Sequence, residues 1–161
     1  MISIIKRFFA ATLVATFLMA GTVWAAERLS PDLIPIYSDL HDKPIRGYDP
    51  VAYFTEGKPM PGKEDITYEW KGAKWMFATA EHRDLFAADP EKYAPQYGGY
   101  CAYAASVGWA ETIDPEKWTI VDGKLYLNDP SAYERWLSDI PNYIAKADKN
   151  WKELVLQGKS E

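Results

Sequence analysis

The stretch Glu116–Asn128, EKWTIVDGKLYLN, constrains the chain most. Asp122-Gly123 is a preferred two-residue hairpin turn, because both residue types tolerate the positive φ such turns require. Trp118 and Ile120 on one side, and Leu125, Tyr126 and Leu127 on the other, supply the two strands. A second hairpin is expected upstream. Ile66-Thr67-Tyr68-Glu69-Trp70 alternates apolar and polar residues, the period of a half-buried strand. Lys71-Gly72 makes the turn, and Ala73–Ala78 returns.

Short helices are expected between and after the hairpins. Asp49 is a cap with Pro50 at the first helical position, so Val51–Phe54 reads as one turn. Thr79 caps a helix over Ala80–Ala88, and Asp89-Pro90 ends it and starts another short one. Asp129-Pro130 repeats the cap signal. Tyr133, Trp136, Leu137 and Ile140 then fall at i, i+3, i+4, i+7, which predicts one apolar face. Pro141 breaks or restarts that helix, and Tyr143, Ile144, Ala147, Trp151 and Leu154 carry the spacing on. Two hairpins packed against several short helices and a C-terminal helical segment predict a single small α+β domain over residues 45–156. With 7 Trp, 11 Tyr and 6 Phe, the chain has rings enough for a dense core.

The first residues have another pattern. Lys6-Arg7 precedes an apolar run from Phe8 to about Ala20, and Val23-Trp24-Ala25 resembles a cleavage site. This is the arrangement of a secretory signal peptide over residues 1–25, with export, most simply to a periplasm, as the expectation. Residues 27–44 carry three prolines and read as an extended lead-in, with His41 as a solvated loop residue. The net charge is −5, and removing the leader takes away two basic residues and no acid. A chain this acidic, without a basic stripe, is a poor partner for nucleic acid. No other run is long and apolar enough to cross a bilayer.

One cysteine, Cys101, stands in Gln96–Trp109, QYGGYCAYAASVGW. A single cysteine forms no disulfide within its own chain. It is therefore free, either as a packed small residue or a reactive thiol, or bound to metal, or paired with another molecule. Gly98-Gly99 permits unusual backbone angles or a close approach, and Tyr100–Val107 is Ala-rich and helix-forming. A helix starting near Cys101 would favour the thiolate. Gly98, Gly99, Tyr100, Tyr103 and Asp49 are therefore further site candidates. No G-x-S-x-G, H-E-x-x-H or phosphate loop is present, and only two histidines occur, which argues against hydrolase chemistry.

Asp49-Pro50-Val51, the hairpin Tyr68–Phe77 and Phe86…Asp89-Pro90-Glu91-Lys92-Tyr93 together resemble a YHS domain. The continuation, GGYCAYAAS, then the Asp-Gly hairpin with LYLN, is similar to an exported branch of that family, some members of which carry selenocysteine at the position of Cys101. The resemblance implies soft-metal handling, as in YHS and related TRASH modules. Their usual cysteine ligands are absent, replaced by Ala52 and by Phe77-Ala78-Thr79-Ala80-Glu81-His82. A site built from Cys101, His82 and Met76, taking copper or another soft transition metal, is the first expectation. A peroxide-reactive thiol at Cys101, and an exported protein-interaction domain without catalysis, are the alternatives.

Overall fold

A computed structural model describes residues 43–157. The leader, most of the lead-in and His41 lie outside the described residues. The order is α1 (Ala52–Thr55), β1 (Lys63–Trp70), β2 (Ala73–Phe77), α2 (Ala80–Ala88), α3 (Pro90–Tyr93), α4 (Ala102–Ser106), β3 (Asp114–Val121), β4 (Lys124–Asn128), α5 (Tyr133–Ser138) and α6 (Ile140–Gln157). It is a small α+β domain, as the pattern predicts.

Both sheets are antiparallel hairpins, β1 with β2 and β3 with β4. The turn residues are those expected: Lys71 and Gly72 have φ of 49° and 74°, Asp122 and Gly123 of 51° and 73°. Each hairpin also has a register irregularity. In the first, Lys63 faces Phe77 while Thr67 already faces Met76, so β1 bulges and begins earlier than its alternation suggested. Just ahead of the bulge, a Cβ on Gly62 would sit 2.6 Å from the Met76 backbone. No side chain fits there, and the glycine is fixed by that close approach.

The core has two parts. The first gathers rings of β1, β2 and α2 around Phe86, whose centroid lies 5.2 Å from Phe77, 5.3 Å from Trp75 and 5.7 Å from Trp70. The second packs Tyr97, Tyr126 and Trp136 with Ala147 of α6. Helix α4 lies between them. Cys101 and Ala104 join the first cluster, and Ala102 and Ala105 join the second. Small residues on both sides of this short helix let its neighbours approach closely.

Two expectations for α5 need correction. Asp129 does not cap the helix. It accepts from the backbone N–H and hydroxyl of Ser131 at 2.8 and 2.6 Å, which makes a local turn, and the helix starts only at Tyr133. Leu137 is 41% exposed although its spacing placed it on the apolar face. The helix ends at Ser138 and the chain redirects at Asp139 (φ −160°) into α6, so the i+4 position never meets the core. Pro141 falls in the first turn of α6, where a missing N–H costs nothing.

Candidate functional site

Two buried polar centres stand out. The first is Asp49. The Asp-Pro pattern predicts a helix cap, but α1 starts at Ala52 with Val51 at its N-cap position, and Asp49 stands ahead of it: Oδ1 accepts from the N–H of Val51 at 2.9 Å and of Ala52 at 3.3 Å. Its other oxygen is engaged too. Oδ2 accepts from the Ala78 N–H at 2.8 Å and from His82 Nδ1 at 2.6 Å. Asp49 is fully buried. One carboxylate thus ties the start of α1 to the end of β2 and to α2. Four donors satisfy it, the condition under which a buried charge is tolerated.

His82 is held from both sides. Thr79 caps α2 by accepting the His82 backbone N–H at 3.1 Å. With Nδ1–H donated to Asp49, Nε2 faces Thr55 Oγ1 at 3.2 Å and Glu56 Oε1 at 3.7 Å. Thr55, Glu56 and Thr79 are exposed here, while the His82 ring itself is buried. The imidazole is therefore oriented by a carboxylate, as ligating histidines usually are, but its partners are oxygens and not sulfur.

The second centre is Cys101. It is the N-cap of α4, as the Gly-Gly and Ala-rich pattern predicts, and Gly98 and Gly99 ahead of it take φ of 61° and 84°. Its N–H donates to Glu111 O at 3.1 Å, and it bridges in parallel to Leu127 of β4. Sγ accepts from the Asp129 N–H at 3.3 Å and the Ala104 N–H at 3.5 Å. Asn128 Oδ1 lies 3.8 Å from Sγ, positioned to accept the thiol proton. Tyr103 donates its N–H to the same Oδ1 at 3.0 Å, which fixes the amide orientation. Asn128 Nδ2 is then left buried and without a partner among the described residues. No local motif singles out Asn128 in the sequence, and its role depends wholly on the return of β4 beside α4.

The expected thiolate bias is overturned. Burial pushes the Cys101 thiol up from its ordinary value, and the N–H donors of Asp129, Ala104 and Tyr103 pull it only part of the way back. The helix start is where the sequence put it. What the sequence hid is that the side chain is fully buried, and desolvation of an anion outweighs amide hydrogen bonds to it.

Cys101, which itself exposes no surface, is among the residues lining a cleft of about 650 Å³. Tyr103 and Ala132 line its sides, Arg135 and Glu111 bring opposite charges, and Val107 and Trp109 stand at its lip, 50% and 54% exposed.

The three expected metal ligands are not seen as one cluster. Met76 is buried, with its sulfur against Gly47, where an added Cβ would lie 3.3 Å from Sδ. His82 and Cys101 share no hydrogen-bond partner. No group of three or more His, Cys, Asp and Glu among the described residues is placed to hold a metal ion. Tyr100 packs its ring on Trp151, centroids 5.7 Å apart, and Tyr103 on Tyr143, 5.1 Å apart.

No curated protein and no solved structure matches the chain. A family model does match, over residues 51–97. That span holds α1, the first hairpin, α2 and α3, with His82 and Met76 inside it and Cys101 just beyond its end. That model is the YHS domain, a family associated with metal binding, and residues 51–97 are similar to it.

Proposed function

We propose that this protein is a metal-handling YHS module in which a soft ion, copper-like in character, is taken at Cys101 from the cleft above it. The observation that carries this reading is that the lone thiol, buried just behind a cleft it helps to line, has two backbone N–H groups aimed at its sulfur. A thiol whose proton is held tightly by burial is a slow nucleophile. A soft metal ion displaces that proton outright, and the two amides then stabilise the bound thiolate.

The residues present fit such an ion at one coordination position. His82 is committed to Asp49, Thr55 and Glu56, so it is not the second ligand in this arrangement. We assign the second ligand to a donor from outside the chain, which suits transfer better than storage. The sequence pattern of residues 1–25 supports an exported setting for that exchange.

The test is a titration of the protein with Cu(I) under reducing conditions, against a competing chromophoric chelator. One ion per chain is expected, with Cys101→Ser weakening binding by more than about tenfold and His82→Gln leaving it within about threefold. Equal binding by Cys101→Ser and wild type overturns the assignment.

A second reading rests on the same N–H pair: a peroxide-reactive thiol. The thiolate would attack a peroxide oxygen, the O–O bond would break with loss of hydroxide or alkoxide, and the sulfenic acid would condense with an external low-molecular-weight thiol, releasing water. A dimedone adduct at Cys101 after mild peroxide at neutral pH would favour it over metal handling.

A further inference from the structure

A second cleft, of about 320 Å³, opens between the β1–β2 turn, the Gln96–Gly98 loop and α6. It contains no cysteine, histidine or methionine, so neither of the readings above reaches it. Its walls are rings. Trp70 and Trp75 come from the first hairpin, Tyr97 from the loop, and Trp151 from α6. Polar groups meet those rings at Gln96, Asp148 and Lys152.

The rings are held in place. Trp151 packs on Tyr97, centroids 6.0 Å apart, and on Tyr100 at 5.7 Å. Tyr97 adopts a left-handed backbone, φ 53°, which a bulky residue takes only when its surroundings impose it. Its hydroxyl donates to Asp148 Oδ1 at 3.0 Å. Asp148 is exposed at the rim, and its remaining lone pairs are free to accept. The Gln96 amide and the Lys152 ammonium have no hydrogen-bond or ion-pair partner among the described residues. One carboxylate, one amide and one ammonium thus border a cleft whose part-exposed rings are Trp70 and Trp151, with Trp75 and Tyr97 buried behind them.

Charge at the cleft is already balanced. Lys71 pairs with Glu91 at 2.8 Å and lies 4.5 Å from the Trp70 ring centroid. The aromatic face best suited to a ligand cation is occupied by the protein's own ammonium, and Asp148 and Lys152 offset one another.

From this we infer that the cleft binds a neutral saccharide ring. Such a ring has one apolar C–H face and a rim of hydroxyls. The polarised C–H groups meet the negative face of an indole. Each hydroxyl both donates and accepts, and the rim offers an acceptor in Asp148, a donor in Lys152 and both in Gln96. The volume is at the small end of small-molecule sites and suits one ring rather than a chain. Trp151 is the stacking platform, and Asp148 is the residue that selects hydroxyls.

The full chain is titrated with glucose, galactose, mannose and N-acetylglucosamine, followed by saturation-transfer NMR and by tryptophan fluorescence. Adenosine and choline serve as the competing aromatic and cationic probes. Transfer to the C–H protons of at least one sugar is expected, with a Kd of about 1–10 mM. Lys152→Ala is a surface change, Asp148→Asn keeps an acceptor for the Tyr97 hydroxyl, and the latter should weaken the sugar by at least about fivefold; a thermal melt of each variant checks that the fold is kept. Trp151→Phe, which keeps a ring in place, should weaken it less than Trp151→Ala. The inference is overturned if none of the four sugars shows transfer, if adenosine or choline binds more tightly than the best sugar, or if Asp148→Asn binds like wild type.

Discussion

Asp49 and Asn128 are both fully buried polar residues, each at a junction of a hairpin and a helix, and they differ in how completely they are bonded. Asp49 receives four donors and joins three elements of the YHS segment. Asn128 accepts one backbone N–H, faces a thiol, and keeps an NH₂ group with no partner among the described residues. Complete bonding marks a centre whose work is to hold the fold. Incomplete bonding next to a cleft marks a centre that the fold alone does not explain. By this comparison the segment similar to a YHS domain supplies a closed frame, and the incompletely bonded centre lies in the region beyond it.

Removing the closed centre should be most damaging. Asp49→Ala strands three buried N–H groups and the His82 ring, so a loss of about 4 kcal/mol is expected by chemical denaturation. That is a large part of the stability of a small domain. Asp49→Asn, which keeps an acceptor, should cost clearly less. If the two substitutions cost the same, the carboxylate is not the hub described here.

Asn128→Ala should cost about 1–2 kcal/mol, because it frees the Tyr103 N–H but also deletes the orphaned NH₂. An effect as large as that of Asp49→Ala would erase the contrast between the centres. Cys101→Ala should change stability by less than about 1 kcal/mol while abolishing the copper binding proposed above, an outcome that would separate function from folding at this position.

The smallest effect at neutral pH comes from the buried tyrosines of the second core. Burial, with Asp148 and Asp122 adding to it, pushes Tyr126 up to about 12. The folded state then keeps its proton up to that pH, while the unfolded chain loses its own near 10. Below pH 10 both states are protonated and stability is unaffected. Between pH 10 and 12 the unfolded state binds fewer protons, so stability falls with rising pH. Tyr97, raised by burial and by its bond to Asp148, acts in the same direction. Tyr126→Phe should flatten the decline of the thermal midpoint between pH 9.5 and 11.5 without changing it at pH 7.

What could be read from the sequence was what neighbours in sequence decide. The Lys71-Gly72 and Asp122-Gly123 turns, the Thr79 cap and the helix start at Cys101 depend on residues within four positions. Asp49 was legible as an acceptor at the start of α1 for the same reason. Its bonds to Ala78 and His82 span 29 and 33 residues, and no local pattern announces them. The burial of Cys101 was hidden likewise, since Glu111 and residues 127–129 at the end of β4 come against it only after the chain returns. Leu137 shows the converse error. Its spacing was helical, but the helix stopped one residue later.

The hairpin-only sheets bear on how quickly the molecule can assemble. Each strand pairs with its neighbour across a two-residue turn, so no distant ends must meet before a ladder forms, and the entropy of closing loops stays small. Such local topology belongs with rapid folding. The contacts that must close over long stretches of chain are of another kind: α6 against α4, and the Tyr53 hydroxyl on the Pro115 carbonyl 62 residues away.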